Sequence, residues 1–137
     1  MVTSRAITVP EELKDILESK GIAHVATVTP DGNPRVSPMW FEWDGERVLL
    51  SHTTGRAKYR DVQANPRIAL SITDPDDPYR YVEIRGPVEI EDDPEKTLID
   101  RLAKKYLGRD KYPWDGPDDH RVIFKVTPER VAPRDRR

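Results

Sequence analysis

The chain contains no cysteine. That excludes disulfides, thiolate metal sites and cysteine nucleophiles, and any electron transfer must use a borrowed cofactor. Long apolar runs are missing as well, and none approaches the length of a membrane span. The first residues, MVTSRAITVPEE, lack the apolar core of a secretion signal, so a cytoplasmic protein is expected. There is no excess of positive charge: 23 Lys and Arg against 25 Asp and Glu leave a net charge of −2. General nucleic-acid binding needs a basic footprint and is not expected. His24, His52 and His120 are scattered with no helical pair, which argues against a metal site. The Gly-rich dinucleotide fingerprint, the P-loop and the G-x-S-x-G elbow are all absent. Carboxylates are plentiful, but they sit in surface-type runs such as EIEDDPE and single out no catalytic pair.

What remains is a chain of 137 residues, the size of one domain. A single domain over residues 1–137 is expected, with its core within 7–131 and a frayed basic tail at 132–137. Thr8 to Gly21 reads as a helix: Thr8 and Glu11 have capping-box spacing, and Leu13, Ile16 and Leu17 form a stripe. The period then changes to two. IAHVATVT, RVSPMWFEW and RVLLSHT read as a three-strand meander with turns at PDGNP and Asp44-Gly45. RIALSIT, YRYVEIRGPVEIE and RVIFKVT are further strands, with a bulge or bend at Gly86-Pro87. DPEKTLIDRLAKKYLG has the clearest helical stripe, from Leu98 to Tyr106, with Asp93 to cap it and Gly108 to stop it. About six antiparallel strands with flanking helices point to a small barrel.

Between strand and helix stands SHTTGRAKYRDV. Arg56, Lys58 and Arg60 gather where a helix is expected to begin, and free N–H groups and the macrodipole there favour anions, not cations. The cluster makes sense around a bound anion, with Thr53 and Thr54 adding hydroxyls and Gly55 allowing close approach. It makes equal sense as a solvated basic face. Arg56 and Arg60 share a helical face and Lys58 points elsewhere, so one anion need not engage all three. NPRVSPMWFEW is the second segment of interest. Its two prolines suit an edge strand whose free backbone groups can meet a flat heterocycle, while Phe41 and Trp43 read as core packing. Tyr112, Trp114 and His120 fall in or beside a polar loop, lining a pocket, making a subunit contact or pinning the loop itself.

Taken together, IAHVATVTPDGNPRVSPMWFEWDG, LLSHTTGRAKYRDVQANPRIALSI, YVEIRGPVEI and YPWDGPDDHRVIFKVTPERV resemble the flavin-like split-barrel family, whose prototype is pyridoxamine 5′-phosphate oxidase. Within it they look like the flavin/deazaflavin oxidoreductases that use coenzyme F420. The likeness runs from Ile7 to Val131. It implies a homodimer of six-stranded antiparallel split barrels with cofactor sites at the subunit interface. By the same resemblance, Ser51 to Lys58 holds the cofactor phosphate: Arg56 and Lys58 are the principal contacts, and Ser51, Thr53 and Thr54 assist. Val36, Ser37, Pro38 and Met39 run beside the tricyclic ring, and Tyr79 and Tyr81 reach the partner subunit's site. The C-terminal Arg and Trp of the vitamin B6 branch have no match in HRVIFKVTPERVAPRDRR, so vitamin B6 chemistry is not implied.

The implied activity is hydride transfer between reduced F420 and a small unsaturated or conjugated substrate. An FMN-dependent oxidoreductase and a non-catalytic cofactor-binding protein stand as alternatives. No catalytic residue is identified; Tyr79, Tyr81, His120 and solvent are all candidate proton donors. Removing the side chains of Arg56 and Lys58 together is expected to weaken cofactor binding while leaving the fold intact, as for exposed charges.

Overall fold

The structure is a computed structural model and describes residues 7–135. A single 3₁₀ turn at Glu11–Leu13 leads into α1 (Lys14–Leu17). Then come β1 (Ala23–Val28), β2 (Pro34–Met39), β3 (Glu42–Trp43), β4 (Val48–Thr53), α2 (Ala57–Ala64), β5 (Arg67–Asp74), β6 (Asp77–Asp92), α3 (Thr97–Leu107), β7 (Arg121–Val126) and β8 (Arg130–Asp135). Every ladder is antiparallel, and the path through the sheet is β2-β1-β5-β6-β7-β4-β3, with β8 also paired to β6. The path ends on two edges, so hydrogen bonds do not close the barrel.

The described residues thus hold eight strands where six were expected, for two reasons. First, RVSPMWFEW is not one strand. The Phe41 N–H meets the Tyr106 hydroxyl at 3.4 Å, and the Phe41 carbonyl accepts from Lys105 Nζ at 2.8 Å. Side chains of α3 take the groups a ladder would use, so the chain breaks between β2 and β3. This also undoes the meander: β4 lies between β3 and β7 and pairs with neither β1 nor β2. Second, Arg130–Asp135 is an edge strand along Arg80–Arg85 of β6. Ala132 to Asp135, expected in a frayed tail, therefore belongs to the sheet, while Arg136 and Arg137 lie outside the described residues.

The first helix is also shorter than expected. Pro10 is extended, no side chain caps the turn after it, and the Thr8–Glu11 box does not form. The Ser19 hydroxyl donates to the Ile16 carbonyl at 2.7 Å and so competes with helix propagation. Leu13, Ile16 and Leu17 are nevertheless buried. α3 matches its stripe: Leu98, Ile99, Leu102 and Ala103 are buried, and Gly108 closes it at φ 72°. Asp93 caps from a distance, accepting from the Thr97 and Leu98 N–H groups at 3.0 and 2.9 Å.

Two apolar clusters result. The inner one gathers Phe41, Leu50, Leu70, Ile72, Ile84 and Phe124 on the inward side of the sheet. The outer one seats Leu98, Ile99 and Leu102 of α3 on Leu49 and Ile123. β6 joins the halves of the sheet. Beyond Gly86 its lateral neighbour changes from β8 to β7 without a break in the strand. Gly86 faces the backbone that links β7 to β8, and a Cβ there would stand 1.8 Å from the Thr127 carbonyl oxygen.

Candidate functional site

Because β2 and β4 are not paired, a gap remains between them. A cleft of about 750 Å³ occupies it, bounded by β2, the β4–α2 corner, α3 and the 109–120 loop. Ser37, Pro38, Met39 and Trp40 form one wall. Ser51, His52, Arg56, Ala57 and Lys58 form the floor, and Ile99, Leu102, Tyr112, Trp114 and Arg121 the far side, with Ile22 and Arg35 completing the lining. Pro34 and Pro38 do sit on an edge strand.

Eight of the residues singled out in the sequence meet here: Ser37, Pro38, Met39, Ser51, Arg56 and Lys58 of the expected cofactor set, and Tyr112 and Trp114 of the polar loop. The others do not line the cleft. Val36 is 66% exposed on β2. Thr53 is buried, and its carbonyl accepts from the Arg56 N–H at 3.3 Å. Thr54 donates its N–H to the His120 carbonyl at 3.0 Å, which holds the exposed His120 beside β4 rather than in the cleft. Tyr79 and Tyr81 are on β6, away from the cleft of their own chain. Arg60 is exposed and also outside it.

The two basic residues at the start of α2 differ sharply. Arg56 is the N-cap, exposed, and makes no side-chain hydrogen bond or ion pair among the described residues. No side chain caps α2 and no acidic residue stands in its first turn. The N–H groups of Ala57 and Lys58 therefore lack intrahelical acceptors beside an uncommitted guanidinium. Lys58 turns inward. It is 4% exposed, and its Nζ donates to the Val25 carbonyl at 3.0 Å and to Thr27 Oγ1 at 3.3 Å. Thr27 in turn donates to Asp61 at 2.9 Å, and Asp61 accepts from Arg35 Nε at 2.8 Å. Burial lowers the pKa of the Lys58 ammonium, with Asp61 opposing that shift and Arg35 adding to it.

His52 was not selected from the sequence as a site residue. Its ring is buried 5.5 Å from the Phe124 ring, and Nε2 has no hydrogen-bond partner. Burial, then the charges of Arg56, Lys58 and Arg121, push its pKa down to about 4, so it is neutral at pH 7. Arg121 is held by both oxygens of Asp115, at 2.8 and 2.7 Å, and lies 5.0 Å from the Tyr112 ring. This clamp also escaped the sequence, because nothing local links Asp115 to Arg121. Among the described residues no group of His, Cys, Asp or Glu is arranged to hold a metal.

The donor set fits a planar molecule that carries an anionic group. An open helix start, a free Arg56 and an orphaned imidazole share the floor, and the edge strand with Ser37, Pro38 and Met39 forms the wall beside them. At Gly55 an added Cβ would meet no atom within 4 Å, so the backbone there is open to a ligand.

Comparison with known proteins identifies the family and the fold. Residues 9–135 match the family model described as pyridoxamine 5′-phosphate oxidase. A solved structure named F420 reductase is 46% identical, with a TM-score of 0.81 over 90% of this chain and 98% of that one. A conserved hypothetical protein from Mycobacterium tuberculosis is 24% identical, with a TM-score of 0.74 over 99% of this chain and 91% of that one. General Stress Protein 26 from Bacillus anthracis str. Sterne is 22% identical, with a TM-score of 0.67 over 90% of this chain and 92% of that one. The last two share the fold.

Proposed function

The chain belongs to the pyridoxamine 5′-phosphate oxidase family, and on that premise we propose that it is an F420-dependent reductase acting on small unsaturated or conjugated organic substrates. The observation that carries this is the uncapped start of α2 with its uncommitted Arg56 in the floor of the cleft. The choice of F420 over FMN is supported by the 46% identical relative named F420 reductase.

Bound deazaflavin would supply the hydride. The protein's part is to anchor, orient and shield. Arg56 and the N–H groups of Ala57 and Lys58 hold phosphate, with Ser51 beside them. Ser37, Pro38 and Met39 on the edge strand flank the ring. The buried Lys58 adds positive charge beneath the floor rather than an open contact. The proposal extends to a cytoplasmic homodimer in which Tyr79, 59% exposed on β6, and Tyr81 complete the partner's cleft. No helix among the described residues is long and apolar enough to cross a membrane.

Parallel fluorescence titrations with F420 and FMN test this. F420 is expected to bind, and Arg56→Ala to weaken it roughly ten- to a hundred-fold, the worth of a hydrogen bond to a charged group. Stability should be unchanged in that variant. Lys58→Ala is different. It strips donors from the Val25 carbonyl and Thr27 and should destabilise the fold, contrary to what an exposed lysine would do. Tighter binding of FMN, or yellow protein on purification, would replace F420 with FMN. Binding without oxidation of the reduced cofactor by enones or quinones would leave a carrier.

Gly55→Ala offers a second, cleaner test. The methyl meets no protein atom, so stability should stay within about 0.5 kcal/mol of the parent. F420 affinity should nevertheless drop about tenfold, the equivalent of ~1.4 kcal/mol. Equal affinity would move the phosphate away from this corner.

A further inference from the structure

The cleft has one feature that anchoring a cofactor does not use. Four rings run in series across α3, the end of β2 and the 109–120 loop. Tyr106 stacks on Trp40 at 5.1 Å and 5°, Trp40 meets Tyr112 edge-on at 5.9 Å, and Tyr112 meets Trp114 edge-on at 5.4 Å. The inner members are partly buried, but Trp114 lines the cleft and is still 65% exposed. A large aromatic side chain left open at the mouth of a cavity is a surface for a ligand.

The loop that carries it is tied down. Asp115, next in the chain, is clamped by Arg121 and reached by Lys96 at 3.4 Å. The Arg121 guanidinium holds the Asp115 carboxyl below its ordinary range, against the opposing pull of burial. The Tyr112 N–H donates to Asp100 at 2.9 Å, fixing the other side of the loop to α3. Little ordering is left for a ligand to impose, so the ring is pre-organised.

We infer that Trp114, backed by Tyr112, is a stacking surface for the substrate that selects flat, ring-containing acceptors over acyclic ones. Indole and phenol faces are electron-rich, and a hydride acceptor is electron-poor, so the two attract face to face. Trp114 lines the same cleft as Ser37, Pro38 and Met39 of β2, against which the proposal above places the cofactor ring. The inference rests on that proposal only for calling the stacked molecule a substrate.

The test is equilibrium binding, free of turnover. 1,4-Naphthoquinone and the acyclic enone pent-3-en-2-one are titrated by calorimetry into wild-type, Trp114→Ala and Trp114→Phe protein carrying oxidised F420. Trp114→Ala should weaken the naphthoquinone about tenfold, and Trp114→Phe less than threefold. The enone and F420 itself should be unaffected. Equal naphthoquinone affinity in the Ala variant overturns the inference, as does an equal loss for the enone. Dissociation of a wild-type dimer by Trp114→Ala, seen in sedimentation, also overturns it by assigning the ring to a subunit contact. If wild-type protein binds no F420 but naphthoquinone binding still depends on Trp114, the cofactor proposal falls and the stacking surface stands.

Discussion

Gly86→Ala should cost at least ~3 kcal/mol, above the usual penalty for an overpacked core. Measured against a total stability of about 5–15 kcal/mol, that is enough to leave much of the protein unfolded. The added methyl would lie 1.8 Å from the Thr127 carbonyl oxygen and 2.9 Å from its carbon. Both are backbone atoms, so no rotamer change relieves the clash. Nor can the backbone easily withdraw. The Thr127 N–H donates to the Pro87 carbonyl at 3.1 Å and the Glu129 N–H to the Arg85 carbonyl at 2.9 Å, which clamps this link on either side of Gly86. Urea denaturation of Gly86→Ala beside Gly55→Ala separates a positional effect from a general glycine effect. A midpoint for Gly86→Ala equal to the parent's would show that the β7–β8 link yields.

Acidification below pH 6.5 should destabilise the ligand-free protein. His52 has a pKa of 6.5 when unfolded and about 4 when folded. Between those values the unfolded chain binds a proton that the native state refuses, so stability falls as pH falls. The contribution is complete above 6.5 and gone near 4. At ~1.4 kcal/mol per pH unit, the gap comes to about 3 kcal/mol. Asp93 and Asp115, both held below 3.8, weaken the fold only at lower pH. His52→Phe should flatten the limb between pH 4 and 6.5 in chemical denaturation and leave the lower limb in place. A His52→Phe profile parallel to the parent's across that window would remove the imidazole as its source.

Much of this architecture can be read from residue patterns where the pattern is local. Alternation in RIALSIT, the stripe of α3 and the turns at Gly32 and Gly45 involve near neighbours, and the structure keeps them. Val122, Ile123 and Phe124 of RVIFKVT are instead all buried, because α3 covers the outer side of that strand. The failures share one cause. The break after Met39 is set by Tyr106 and Lys105, more than sixty residues away, which take over the backbone of Phe41. β8 exists because β6 offers it an edge, not because RVAPRD has strong strand character. At the cleft, the charge anomaly at Arg56 was visible because it violates a local rule of helix starts. The inward turn of Lys58 was not, since it depends on a carbonyl of β1. His52 sits in a strand buried at every position, where periodicity carries no hint of a polar floor.

The edge formed by β2 has a consequence beyond the cleft. A strand paired on one side only invites the growth of intermolecular sheet, and 66% exposure of Val36 makes this one sticky. Pro34 and Pro38 each remove an amide donor from it, and Arg35 between them adds charge. The same prolines that shape one wall of the cleft thus act as gatekeepers against aggregation. Evolution or engineering of the ring-binding wall is constrained by colloidal behaviour as well as by the ligand.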